Sequence, residues 1–123
     1  MVGATLGGGI SPLQGLQGLI SDALLSVRMV TGMGEIVTAS ATQNPDLFWG
    51  MRGAGFNYGV VLSATYRAYD LPHRGRFVNA DFVFPANAST HHWQLLQRLA
   101  GKQPAGLSLV TTITYQEQYG GVG

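Results

Sequence analysis

Twelve of the 18 glycines fall among the first sixty of 123 residues, embedded in apolar sequence instead of being spread out as in a linker. Glycine clustered in this way serves backbone that turns with positive φ or lies close against something flat. Gly7-Gly8-Gly9 gives three consecutive residues without Cβ atoms, so backbone N–H groups there can approach a planar ring or phosphate oxygens. A tight turn needing positive φ accounts for the run equally well. The later segment Gly53-Ala54-Gly55-Phe56-Asn57-Tyr58-Gly59 superficially matches the dinucleotide fingerprint G-x-G-x-x-G, but its last spacing is one residue too long. Its order is also helix, glycines, strand, where the fingerprint needs strand, glycines, helix, so a nicotinamide-type Rossmann site is rejected. A helix-terminating glycine followed by a loop explains this segment as well as ligand contact does.

The periodicity predicts an α+β fold. Ser11 caps a short helix that opens with Pro12. Residues 24–30 and 35–39 form a hairpin, and Asn44-Pro45-Asp46 starts a helix with a capping side chain, proline in the first turn and an acid beside it. That helix ends at Gly53. Residues 60–69 then alternate as a strand, with Val60, Leu62, Ala64 and Tyr66 on one face. Polar, turn-forming residues at 70–75 mark a boundary between residues 1–70 and 71–123. The second part reads as strand, helix, strand. Val78, Ala80, Phe82 and Phe84 share one face, Leu107, Leu109, Ile113 and Tyr115 another, and between them a helix capped by Ser89 buries Trp93, Leu96 and Ala100 and stops at Gly101.

With 46% hydrophobic and 11% charged residues the chain is too apolar for disorder, and part of its surface is built to be covered. A net charge of +1 supplies no field for nucleic acid or an anionic membrane surface, and no run approaches a membrane span, so neither partner is expected. Absence of cysteine excludes thiolate metal sites and cysteine nucleophiles within the chain. His91 and His92 are adjacent and diverge by about 100° on a helix, so they cannot chelate one ion. No metal site is expected. Asp22, four residues after Gly18, is suited to capping a turn or to hydrogen-bonding a ligand, and its chemistry alone favours the cap. Asn87-Ala88-Ser89 fits the N-glycosylation sequon.

Taken in order, GGGISPLQGLQGLISD, then NPDLFW, then RGAGFNYGV form a combination far more specific than any one piece. Over roughly residues 3–70 the chain strongly resembles the second half of the FAD-binding domain of oxidases of the vanillyl-alcohol oxidase and p-cresol methylhydroxylase type. The berberine-bridge-enzyme-like branch of fungal specialised metabolism is the nearest. The resemblance implies FAD as cofactor and a small organic substrate oxidised with oxygen as electron acceptor. It implies flavin contacts for Gly7, Gly8, Gly9 and Ile10, a loop-organising role for Asp22, and positions near the adenosine half of FAD for Asn57, Gly59 and Val60. Leu47, Phe48 and Trp49 match as helix core. Residues 71–123 correspond to the opening of the family's substrate domain. The family's flavin-attachment histidine and its catalytic base belong to segments before Met1 and after Gly123, so no catalytic residue is assigned within this chain. The alternative expectation is a truncated, inactive remnant acting through self-association or a complementary polypeptide.

Overall fold

The structure is a computed structural model that describes residues 1–116 and 121–122. Its backbone divides into two units, Met1–Asp70 and Leu71–Gly123.

The first unit is α+β. Strands β1 (Leu24–Thr31), β2 (Ile36–Ser40) and β3 (Gly59–Tyr66) form an antiparallel sheet in the order β2-β1-β3. Helices α1 (Val2–Leu6), α2 (Gln14–Gln17) and α3 (Pro45–Ala54) accompany it. β1 and β2 make the expected hairpin, with Val27 opposite Ala39 and Met29 opposite Val37. One sheet face is buried: Val27, Met29 and Ala39 lie beneath Phe48 and Met51 of α3 and Leu6 of α1. Each of these side chains except the Ala39 methyl contributes about 1.5–3 kcal/mol when fully withdrawn from water.

The simple alternation expected along β3 is interrupted. Arg28 pairs with Ser63 and Met29 with Val61, which leaves Leu62 as an extra residue, and Leu25 is the extra residue on β1 between the pairs Leu24–Tyr66 and Ser26–Thr65. These irregularities are β-bulges, which reset the phase of the side chains. The residues packed on the core are therefore Val61, Ala64 and Tyr66, while Val60 is 69% exposed and Leu62 is exposed as well.

Helix α3 begins at Pro45 as the sequence indicates, but Asn44 does not cap it with its side chain. Asn44 adopts φ 50°, ψ 55°, and its Nδ2 donates instead to the Thr38 carbonyl at 2.8 Å, tying the helix start to β2. Phe48 and Met51 face the core, whereas Trp49, about 100° round the helix from Phe48, is 75% exposed and is not core. Helical geometry is lost at Arg52 and Gly53. Ser11 Oγ accepts from the Leu13 N–H at 3.2 Å, and the short helix that follows starts at Gln14.

In the second unit α4 (Ser89–Leu99) forms and Gly101, with φ 70°, terminates it. Ser89 is its first helical residue, not its cap, and none of its residues is buried: Trp93 is exposed and Leu96 half-buried, and Ala100, just past its end, is exposed as well. The two strands expected beside the helix do not form over residues 76–85 and 107–114, which have no ladder partner among the described residues; of the second, Tyr115 alone enters a ladder. A strand-like sequence becomes a strand only when another chain segment takes up its backbone hydrogen bonds. β4 (Tyr115–Gln116) and β5 (Gly121–Val122) form a short antiparallel pair.

Candidate functional site

The first glycine segment follows α1. Gly7 and Gly8 donate their N–H groups back to Ala4 and Thr5, which close the helix, and the chain then turns through Gly8 (φ 99°) and Gly9 (φ 78°). Both carbonyls are taken by the loop after α2: Ser21 N–H donates to Gly8 and Ile20 N–H to Gly9, each at 2.9 Å. The fit leaves no room for a side chain, because a Cβ on Gly9 would lie 2.8 Å from the Cβ of Ile20. The glycines are thus required by the docking of two loops, in a conformation that L-residues adopt only with strain. Once the loops are joined, the N–H groups of Gly9 and Ile10 have no hydrogen-bond partner among the described residues, and the Ile10 side chain is 81% exposed.

Asp22 organises the facing loop. Its Oδ2 accepts the Leu19 N–H at 2.8 Å, and Gly18 (φ 77°) packs so tightly that a Cβ there would sit 2.6 Å from the same oxygen. Gly18 is a structural partner of Asp22 that attention to Asp22 alone misses, although the four-residue spacing contains the signal.

Asn57, Gly59 and Val60 lie on the turn into β3. Asn57 is exposed and its Nδ2 donates to the Ala54 carbonyl at 3.2 Å, closing the turn after α3. At Gly59 (φ 140°) a Cβ would collide with the carbonyl oxygen of Val30, so glycine is needed for β3 to enter the ladder beside β1. The two glycine segments meet through neighbours the sequence did not single out. The Phe56 ring lies 3.4 Å from the Cβ position of Gly7, and Leu6 closes over Gly55.

Thr5 and Tyr66 add a second link between the glycine loop and the sheet. Thr5 is 1% exposed, and its hydroxyl donates to the Met1 carbonyl at 3.1 Å. Its single proton being used, Tyr66 is the donor in the 2.9 Å contact between the two hydroxyls. Nearby, residues 17–20 and 66–69 border an open cleft that also takes in Ser11 and Ala23.

His91 and His92 do not come together on a common point: His92 Nε2 lies 3.0 Å from Thr111 Oγ1, and among the described residues no three acidic or histidine side chains gather as a metal site would need. No described helix is long and apolar enough to cross a membrane.

No protein-family model matches the chain. It is 48% identical over 120 residues to the FAD-linked oxidoreductase tazL of Aspergillus terreus, which covers 98% of this chain and 24% of the relative. It is also 48% identical over 109 residues to the FAD-linked oxidoreductase azaL of Aspergillus niger, covering 89% and 23%. Among solved structures, BBE-like 1 of Physcomitrella patens superposes with a TM-score of 0.54 and 41% identity over 56% of this chain and 15% of that one. The xylooligosaccharide oxidase of Myceliophthora thermophila, solved with xylobiose, gives 0.52 and 45% over 53% and 14%. The chain spans about a quarter of the length of the curated relatives it matches. Near-half identity along almost all of its residues, with backbone agreement over half of them, places this chain in the FAD-linked oxidoreductase family, alongside its berberine-bridge-enzyme-like members.

Proposed function

We propose that residues 1–70 supply the second half of a FAD-binding domain of p-cresol methylhydroxylase type, and that residues 71–123 open a substrate domain. The enzyme so formed oxidises a small organic substrate of specialised metabolism with oxygen as electron acceptor. The observation that carries this reading is the pair of unpartnered N–H groups at Gly9 and Ile10, on a loop whose shape is already fixed by Ile20 and Ser21. Two fixed donors beside backbone without side chains fit an acceptor-rich, planar ligand, and a flavin dinucleotide is such a ligand.

FAD, when bound, supplies the two-electron acceptor chemistry. This chain's residues bind and orient. Gly9 and Ile10 donate to the cofactor, Gly7 and Gly8 keep the approach free of side chains, and Asp22 holds the facing loop in place through Leu19. Asn57 and Gly59 set the turn that delivers Val60 toward the adenosine half.

The test grafts residues 1–70 in place of the matching segment of the Aspergillus terreus relative and follows flavin absorbance after gel filtration. The chimera is expected to be yellow, and Gly9→Val within it to lose flavin. A chimera with the fold of the parent but no flavin, or one whose Gly9→Val form keeps flavin fully, overturns the assignment. The isolated chain, with donors from one loop only, is expected to hold less than one FAD per chain.

A second reading, association with another copy or with a complementary polypeptide, is favoured by the second unit. Among its described residues no side chain is buried, and Val78 (98%), Val110 (85%) and Phe82 (75%) stand exposed. Apolar surface of this kind drives association.

A further inference from the structure

We propose that Asn87 is the acceptor of an N-linked oligosaccharide. The chain has four asparagines, and Asn87 alone is followed at the second position by serine or threonine with a residue other than proline between. The structure separates it from two of the others in a second way. Asn44 and Asn57 spend their side-chain amides on the carbonyls of Thr38 and Ala54, whereas the Asn87 amide makes no hydrogen bond among the described residues. It lies exposed on the turn Ala86–Ala88, which is closed by Ala88 N–H donating to Pro85 at 2.9 Å, and Ser89 is exposed as the first residue of α4. A bulky substituent at Asn87 therefore breaks no side-chain hydrogen bond and no ladder among the described residues.

The surroundings explain what an oligosaccharide does there. Phe84, three residues earlier and 48% exposed, stands 5.9 Å from the His92 ring, and His92 stands 5.3 Å from Trp93, itself 49% exposed. Sugar attached to the turn that joins Phe84 to α4 covers rings that otherwise face water. In the transfer step the Asn87 Nδ2 forms a C–N bond to the anomeric carbon of a polyprenyl-pyrophosphate oligosaccharide. The C–O bond to the pyrophosphate breaks, the lipid pyrophosphate leaves, and the amide loses one proton. No electron is gained or lost, and the donor and transferase are those of the secretory route.

The experiment takes the protein from the organism that makes it and digests it with trypsin, which releases residues 77–98 between Arg76 and Arg98. Peptide N-glycosidase in heavy-oxygen water is expected to convert position 87 to labelled aspartate and to remove a ladder of hexose masses. Recovery of this peptide only in unmodified form overturns the proposal, as does a sugar that the glycosidase leaves in place, which would lie on Ser89 or Thr90. Translation of the full chain behind a secretory leader into rough microsomes gives an independent readout that needs no folded product. A gel shift is expected for the wild type and for Ser89→Thr, and none for Asn87→Gln or Ser89→Ala. A protease-protected wild-type chain without the shift counts against the site.

Discussion

Substituting Gly9 by alanine tests whether the glycine loop is a fitted joint. Two costs arise. The residue sits at φ 78°, and holding an L-residue in that left-handed region costs about 1–2 kcal/mol. The new methyl would lie 2.8 Å from the Ile20 Cβ and 3.1 Å from its Cγ1 and Cδ1, an overpacking of a kind that costs about 1–3 kcal/mol. Together they remove about 2–5 kcal/mol from a 70-residue unit whose net stability is on the order of 4–10 kcal/mol. Urea unfolding of the full chain, followed by circular dichroism, reads this as a fall of roughly 2 M or more in midpoint if the slope is about 1 kcal/mol/M. Ile20→Ala does not rescue the variant, because alanine keeps the Cβ that makes the closest contact. Gly32→Ala is the control: no atom lies within 4 Å of its Cβ position and its φ is not positive, so the midpoint stays or rises. A Gly9→Ala midpoint within about 0.5 M of wild type refutes the reasoning.

Asp22→Ala removes the acceptor of the Leu19 N–H and is expected to lower stability by about 0.5–1.5 kcal/mol, with Asp22→Asn recovering most of it through its amide oxygen; equal losses in both would point to charge instead. Thr5→Val and Tyr66→Phe, measured singly and together, are expected to couple by about 0.5–1.5 kcal/mol, and additivity would show that the hydroxyl contact carries no stability. Limited trypsin digestion is expected to cut first at Arg74 or Arg76, just past the division after Asp70, and earlier cleavage at Arg28 within β1 would contradict it.

What the sequence made legible is what local patterns determine. The hairpin, the start of α3 at Pro45 and the stop of α4 at Gly101 all follow from turn chemistry and β-former content. The glycine motifs also indicated where backbone turns sharply, and Gly8, Gly9 and the Asp22 loop do meet. The remainder depended on partners distant in sequence. Asn44 has the composition of a cap, yet its amide is drawn to Thr38 because β2 runs alongside. The resemblance implies Trp49 as helix core, but Phe48 and Met51 already occupy the face of α3 turned to the sheet. Residues 76–84 and 107–113 have strand periodicity without a described neighbour to pair with. Thr5 and Tyr66, 61 positions apart, carry no local signal of their contact.

The paired bulges explain how one strand serves both the core and the candidate site. In an unbroken strand, residues 60, 62, 64 and 66 would share a face, so a Tyr66 turned toward Thr5 would force Val60 into the core as well. Leu62 absorbs one residue of β3 and Leu25 one residue of β1, so the two strands stay in step while each changes phase once. On β1 the buried positions become Leu24, Val27 and Met29, matched across the ladder by Tyr66, Ala64 and Val61. Tyr66 can then pin α1, and with it the Gly7–Ile10 loop, while Val60 at the other end of the same strand remains outward and 69% exposed. A regular strand of identical composition would have to give up either the anchor for the glycine loop or the exposed residue beside Gly59.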